Sequence, residues 1–294
     1  MDHPFRFAID ASTFTEGPTM PGVYFDLDNG LYHKGEGLSS TGVRRFLKTP
    51  FHYYAATLPY PKAKAAAPSA SQFNGTLVHC SLLESDQFDK RYRVGPSGVN
   101  KNTNRWREYV EEWASQGVQV IGEEQAEAAH AQARNLRALE PVAELLADGV
   151  CETSGYWIDP KTGVLCKCRP DCISPVQHRT ALMPLDVKTA TDASEDGFAQ
   201  AAGLHGYHYQ AAWYCDGYSI ASGLPVHEML FAVVENEYPY AAAVYMLDEK
   251  AIAYARRRNA FALQRFAECK RTQQWPGYPP EVREIFLRDW HMRD

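Results

Sequence analysis

Three polar residues near the middle of the chain have the types and spacing that chemistry needs. Pro170-Asp171 follows an apolar, strand-like run, and fifteen residues after Asp171 comes Asp186-Val187-Lys188. Along a strand, residues i and i+2 share a face, so Asp186 and Lys188 project together while Val187 turns into the core. Two carboxylates with water make a hard-oxygen site suited to Mg²⁺ or Mn²⁺. A cation held there polarises a phosphoryl oxygen and lowers the pKa of a bound water. The neighbouring ammonium orients that water or meets the charge developing on phosphorus. This is equipment for phosphodiester hydrolysis. Taken alone, Asp-x-Lys is more simply a surface ion pair on a strand edge, and the preceding Pro-Asp and the strand context bring the two readings level.

These residues need a scaffold, and the apolar periodicity describes one. Runs at 22–31, 153–158, 164–169, 183–188, 228–234 and 241–247 read as strands, the first closed by an Asp-Asn-Gly turn. Ser39-Ser40-Thr41 caps a helix that Pro50 ends or breaks, and 73–84, 105–116, 123–147, 205–221 and 248–271 read as further helices, the last begun by Asp248. Residues 59–71, rich in Pro, Ala and Ser, read as a loop. Helices alternating with strands in this order imply a mixed α/β domain around one central sheet. Residues 1–21 are expected to be a loose arm. Residues 22–294 form a single domain, with a helical part over 38–148, a sheet core over 150–247 and a closing helix over 248–271.

The chain has 294 residues and a formal net charge of −6, with 45% hydrophobic and 22% charged residues. That composition excludes a disordered chain, a collagen-like repeat and a coiled coil. No apolar stretch is long enough for a membrane-spanning helix. No secretory signal is visible at the start, so the expected location is the cytoplasm. The charge is uneven. Residues 34–110 hold 12 Lys and Arg against 5 Asp and Glu, a surplus of seven, which leaves the remainder at −13. Arg44, Arg45, Lys48, Arg91, Arg93, Lys101, Arg105 and Arg107 lie in that segment, interleaved with Tyr53, Tyr54, Tyr60, Tyr92 and Trp106. Such a pattern suits phosphate neutralisation and base stacking, or equally a solvated loop set. Arg256-Arg257-Arg258 on the last helix suits a subunit contact.

The seven cysteines are read as reduced. Cys166-x-Cys168-x₃-Cys172 with Cys151 upstream fits neither a paired zinc spacing nor an iron–sulfur ligand set. They are taken as small buried hydrophobes.

With these residues in place, the chain resembles the PD-(D/E)xK nuclease superfamily, and within it the RecE-like exonuclease branch (exonuclease VIII, with YqaJ, RecB and λ-exonuclease relatives). The resemblance rests on Asp171 and Asp186-Val187-Lys188, on Gly75-x-x-x-His79, and on Gln210-x-x-x-Tyr214. Shorter strings agree in order: Tyr32-His33, Leu38-Ser39-Ser40, the run from Gly163 to Asp171, Leu185 to Thr189, and Trp275-Pro276. The resemblance covers residues 22 to 275 and implies an α/β, restriction-endonuclease-like core with a central mixed sheet flanked by helices. It implies that Asp171, Asp186, His79 and the Val187 carbonyl hold Mg²⁺ or Mn²⁺, that Lys188 orients the attacking water, and that Gln210 and Tyr214 brace the site or contact DNA. Glu152 is where relatives carry an acidic residue and is assigned to a second metal or a water. Residues 172–185 are longer than this branch leads one to expect and read as an insertion.

The implied activity is a metal-dependent exonuclease that degrades linear double-stranded DNA from its ends, 5′ to 3′, leaving 3′ single-stranded tails for phage-type recombination. The implied partners are double-stranded DNA ends, further copies of the chain in a homo-oligomeric ring, and a RecT-like annealing protein. Two alternatives stay open: a RecB-like or structure-selective endonuclease, and a non-catalytic DNA-binding module. A built-in motor is not expected, because no phosphate-loop sequence is present.

Overall fold

The computed structural model describes residues 8–58, 69–176 and 178–287. The N-terminal part opens with strands β1 (Ile9–Asp10) and β2 (Gly22–Phe25), then helices α1 (Asn29–Lys34), α2 (Ser40–Lys48), α3 (Pro50–Thr57), α4 (Ala70–Leu83) and α5 (Ser85–Arg91). A small lobe follows, with β3 (Tyr92–Val94), α6 (Asn104–Ala114) and β4 (Gln119–Ile121), and then α7 (Glu123–Arg137) and α8 (Glu140–Asp148). The sheet core contains β5 (Val150–Cys151), β6 (Ser154–Ile158), β7 (Leu165–Cys168), β8 (Cys172–Val176) and β9 (Ala181–Ala190). Helices α9 (Glu195–His205) and α10 (Tyr207–Ser222), strands β10 (Leu230–Glu235) and β11 (Ala242–Tyr245), and helix α11 (Glu249–Thr272) complete the fold.

The chain is α/β, and its strands divide between two principal sheets rather than one. A five-stranded mixed sheet runs in the order β11-β10-β9-β8-β5, and a four-stranded sheet in the order β1-β2-β6-β7. At its centre β9 pairs in parallel with β10 and antiparallel with β8. Phe231, Ala232, Val233 and Val234 of β10 are all buried, as expected of a strand covered on both faces. Their side chains alternate. Phe231 and Val233 join the core shared with α9, α10 and α11, whereas Ala232 and Val234 join the core shared with α4, α7 and α8. Val187 of β9 also faces the α4 side, which leaves Asp186 and Lys188 toward α10.

Local signals explain most helix ends. Ser39 caps α2, accepting from the Gly42 N–H at 3.2 Å. Ser69 and Gln72 form a reciprocal capping box on α4, and Asp248 caps α11 through the Ala251 N–H at 3.0 Å. Each such cap stabilises its helix by about 1 kcal/mol. Pro50 does end the first helical run, and it also begins α3 at a position where its missing N–H has no cost.

Several sequence expectations are corrected. The Asp28-Asn29-Gly30 turn is the start of a helix, because Asp28 caps α1 through the Leu31 N–H at 3.0 Å. Side chains of this type serve turns and helix caps alike. The arm expected over 1–21 is tied down in part: Ile9 and Asp10 pair with Tyr24 and Phe25, and Ala11 is buried. Residues 1–7 lie outside the described residues, as does most of the 59–71 loop. The helix expected over 123–147 divides into α7 and α8, where Pro141 starts a new turn. Helix α9 had no apolar stripe to announce it.

Residues 172–185 are ordered into the sheet rather than looped out of it. They comprise β8 and the first half of β9, paired from Cys172↔Leu185 to Val176↔Ala181. Pro175 and Pro184 hid these strands, since proline lacks the N–H a ladder uses. Consequently β7 does not pair with β9 but with β6 in the other sheet. Among the described residues, no helix is long and apolar enough to cross a membrane.

Candidate active site

Strand β9 delivers Asp186 and Lys188 to one face, beneath the start of α10. Asp186 is only 2% exposed. Its Oδ1 accepts a hydrogen bond from Gln210 Nε2 at 2.6 Å, and its Oδ2 is ion-paired with the Lys188 ammonium. Lys188 Nζ also sits 4.9 Å from the centre of the Tyr207 ring. Burial opposes the charge on Lys188, but the Asp186 and Asp171 carboxylates and the Asp186 hydrogen bond outweigh it, so its pKa is raised. Lys188 therefore keeps its proton. It serves as a fixed positive charge and a hydrogen-bond donor.

Asp171 occupies the passage from β7 to β8, level with Asp186 by the β8–β9 register. Its Oδ2 accepts from the Val187 N–H at 2.6 Å. His79 reaches in from α4, with Nδ1 3.6 Å from the same oxygen and Nε2 3.1 Å from the Val187 carbonyl. Both imidazole nitrogens thus face oxygen atoms of the site. Gly75, one turn earlier on α4, lies against Thr189 of β9, where an added Cβ would be 3.6 Å from its hydroxyl.

Glu152 lies between β5 and β6 with a left-handed φ of 55°, and its N–H donates to the Asp171 carbonyl at 3.0 Å. One ligand atom each from His79, Glu152 and Asp171 lies within 4.8 Å of the others, and all three residues are half-buried. Burial first, and the Asp171 charge second, push the Glu152 carboxyl up to about 7. Burial first, with the Asp186 charge adding to it against the favourable His79, pushes Asp171 up to about 6. Two crowded carboxylates, an imidazole and a main-chain carbonyl match the donor set of a hard divalent cation.

The structure thus gathers His79, Glu152, Asp171, Asp186, Val187, Lys188 and Gln210, but with a different emphasis from the sequence reading. Glu152, the weakest candidate there, belongs to the converging triad. Asp186 does not, because its carboxylate is engaged by Gln210 and Lys188. Tyr214 is 8% exposed and packs in the α10 core one turn from Gln210, behind the site rather than in the cluster. Two residues near the site were not anticipated. Tyr207 lies under Lys188, and Arg169 makes an ion pair with Glu152 at 3.9 Å. Arg169 stood next to the Pro170-Asp171 signal, but no spacing rule marks a side chain that reaches across to another sheet.

The basic residues are exposed, and several are already engaged. Arg91 makes a two-pronged pair with Glu84, at 2.6 Å on each arm. Arg93 lies 4.2 Å over Trp113, Lys101 5.8 Å over Trp106, and Arg107 donates to Asn104 at 3.3 Å. Arg44 donates to the His205 carbonyl at the corner between α9 and α10. With Arg45 and Lys48 it forms an exposed basic face on α2. Cys166, Cys168 and Cys172 are fully buried free thiols, as read from the sequence.

Comparisons with known proteins agree with this architecture. Among solved structures, the fold is similar to that of a candidate exonuclease from Eubacterium rectale. The TM-score is 0.56 at 14% identity, over 91% of this chain and 98% of that one. An alkaline exonuclease from Laribacter hongkongensis matches 58% of this chain and 86% of its own length at 16% identity, but its TM-score of 0.27 is too low to support an argument. No curated protein matches the chain. A family described as a PDDEXK-like domain of unknown function (DUF3799) matches residues 39–284. Since that match spans most of the chain and contains every residue of the site, the protein belongs to this family of PDDEXK-like domains.

Proposed function

We propose that the protein is a metal-dependent nuclease that hydrolyses phosphodiester bonds from the ends of linear double-stranded DNA. The observation that supports this most is the convergence of His79, Glu152 and Asp171 beside a lysine that two carboxylates keep protonated against burial. Glu152 and Asp171, with His79 and the Val187 carbonyl, are the residues that would hold Mg²⁺ or Mn²⁺. A divalent cation there supplies Lewis-acid polarisation and a bound water of lowered pKa.

The chain's own groups have separable parts to play. Asp186 and Gln210 fix the Lys188 ammonium, and Lys188 offers its protons toward the scissile phosphate or the attacking water. The Tyr207 ring covers the other side of that ammonium and limits its rotamers. Arg44, Arg45 and Lys48 on α2 are suited to a DNA backbone approaching this corner. The RecE-like motifs extend the proposal to 5′ to 3′ polarity, 3′ single-stranded products, a ring-shaped homo-oligomer and a RecT-like annealing partner in recombination.

A duplex labelled at either the 5′ or the 3′ end, digested with Mg²⁺, tests the reading directly. Early release of the 5′-labelled nucleotide, with closed circular DNA left intact, is the expected result. Nicking of closed circles would replace it with an endonuclease. No hydrolysis in Mg²⁺ or Mn²⁺ would leave a DNA-binding module.

A further inference from the structure

We propose that Arg169 is the positioning residue for Glu152, holding its carboxylate in the cluster from an anchor on the four-stranded sheet. The inference rests on the reading of His79, Glu152 and Asp171 as a cation site.

Two connections carry the chain between the principal sheets in this region. Residues 152–153 run from β5 to β6, and residues 169–171 run from β7 to β8. They lie side by side, joined by the hydrogen bond from the Glu152 N–H to the Asp171 carbonyl. Glu152 sits on the first with φ 55°, a left-handed conformation that residues other than glycine adopt only under strain. Thr153, the residue after it, is anchored to the Tyr218 hydroxyl at 2.9 Å. The Glu152 side chain, 38% exposed, needs its own restraint if it is to point into the cluster.

Arg169 supplies that restraint from the second connection. It is buried, and its guanidinium is engaged on every edge. Nε donates to Ser154 Oγ at 2.8 Å, and Nη2 donates to the Leu27 carbonyl at 2.8 Å. Nη1 donates to Asn29 Oδ1 at 3.3 Å and lies 3.9 Å from Glu152 Oε2. The guanidinium carbon lies 4.4 Å from the centre of the Tyr32 ring. Ser154, Leu27, Asn29 and Tyr32 all belong to β6, the β2–α1 connection or α1, and none is in the cluster. They orient the guanidinium, and the guanidinium in turn presents a fixed positive charge to Glu152. Lysine offers one point charge and cannot satisfy this fork of acceptors. Holding a ligand in place before the cation arrives reduces the freedom lost on binding, which is how groups behind the ligands raise affinity.

Mn²⁺ titration, with free ion followed by electron paramagnetic resonance, tests the inference without any measurement of turnover. The proteins are wild type, Arg169→Lys, Glu152→Gln and the double variant, with near-ultraviolet circular dichroism to report the fold. Each single substitution is expected to weaken Mn²⁺ binding by about tenfold. The double variant is expected to bind no more weakly than Glu152→Gln, because Arg169 acts through Glu152. Losses that multiply in the double variant, or unchanged affinity in Arg169→Lys, would overturn the proposal. If Arg169→Lys fails to fold, Ser154→Ala loosens the same guanidinium more gently. A smaller loss that vanishes in the Glu152→Gln background is then expected, and a loss that persists there overturns the proposal. Wild-type protein that binds no Mn²⁺ would remove the cation site itself and this inference with it.

Discussion

Gln210 and Asp186 are joined by a 2.6 Å hydrogen bond from the amide N–H to Oδ1. It links α10 to β9 at the point where the sheet presents its buried carboxylate. Tyr214, one helical turn further along α10, is buried in the core behind Gln210. The helix thus reaches the site through Gln210, which bonds the carboxylate that is the lysine's ion-pair partner.

Gln210→Ala removes a donor to a buried carboxylate. Hydrogen bonds to charged groups contribute about 1.5–3 kcal/mol, so turnover is expected to fall by roughly ten- to a hundredfold if Asp186 loses its orientation. Gln210→Glu, which sets a second carboxylate against Asp186, is expected to be worse. Steady-state nuclease assays on both variants check this, and wild-type turnover in Gln210→Ala would remove Gln210 from the site.

Lys188→Met removes the ammonium and strands Asp186 in a place that is 2% exposed. Breaking one side of a buried pair costs about 3–5 kcal/mol, so both hydrolysis and melting temperature are expected to drop. Adding Asp186→Asn removes the stranded charge. The double variant is expected to regain much of the stability and none of the activity. Melting curves and digestion assays separate the two effects, and appreciable hydrolysis by Lys188→Met would refute the lysine's role.

Gly217 lets α10 lie directly on β6. A Cβ at this position would fall 2.2 Å from the Trp157 ring. Gly217→Ala is expected to cost about 1–3 kcal/mol through overpacking and, by lifting the helix that carries Gln210, to lower turnover as well. Thermal unfolding measures the first and nuclease assay the second. An unshifted melting temperature would mean that Trp157 yields to the methyl group without cost.

Lys167 provides a pH signature away from the cluster. It is 5% exposed, donates to the Tyr32 and Gly35 carbonyls at 2.6 Å each, and burial, with Arg169 adding to it, lowers its pKa to about 8. The unfolded chain, with an ordinary lysine value, binds more protons between pH 8 and 10.5. Stability from this group therefore rises with pH across that window. The full difference corresponds to roughly 3 kcal/mol. Urea unfolding of wild type and Lys167→Met at pH 7.5 and 10 checks this: the difference between the two proteins is expected to move in favour of wild type at the higher pH. A constant difference would show that Lys167 titrates normally.

Asp186 and Lys188 were legible in the sequence because strand geometry is local, whereas His79, Glu152, Gln210 and Tyr214 entered through the resemblance to PD-(D/E)xK nucleases. Asp186 and Lys188 had to share a face, Val187 had to oppose them, and Gln210 and Tyr214 had to stack one turn apart, whatever the rest of the chain did. The α/β class and most helix starts were legible for the same reason, through caps such as Ser39 and Asp248. What lay beyond local rules was the division of strands between two sheets. Pro175 and Pro184 masked β8 and the start of β9, and no periodicity tells a strand which partner it will take. That choice decides which carboxylates meet. With β7 in one sheet and β8 in the other, the two inter-sheet passages lie together. This brings Glu152 beside Asp171, leaves Asp186 to Lys188 and Gln210, and carries Arg169 up to Glu152. The sequence by itself determined the chemical groups and the faces they occupy. Only the tertiary structure decided how they are grouped, because the grouping follows from non-local strand pairing.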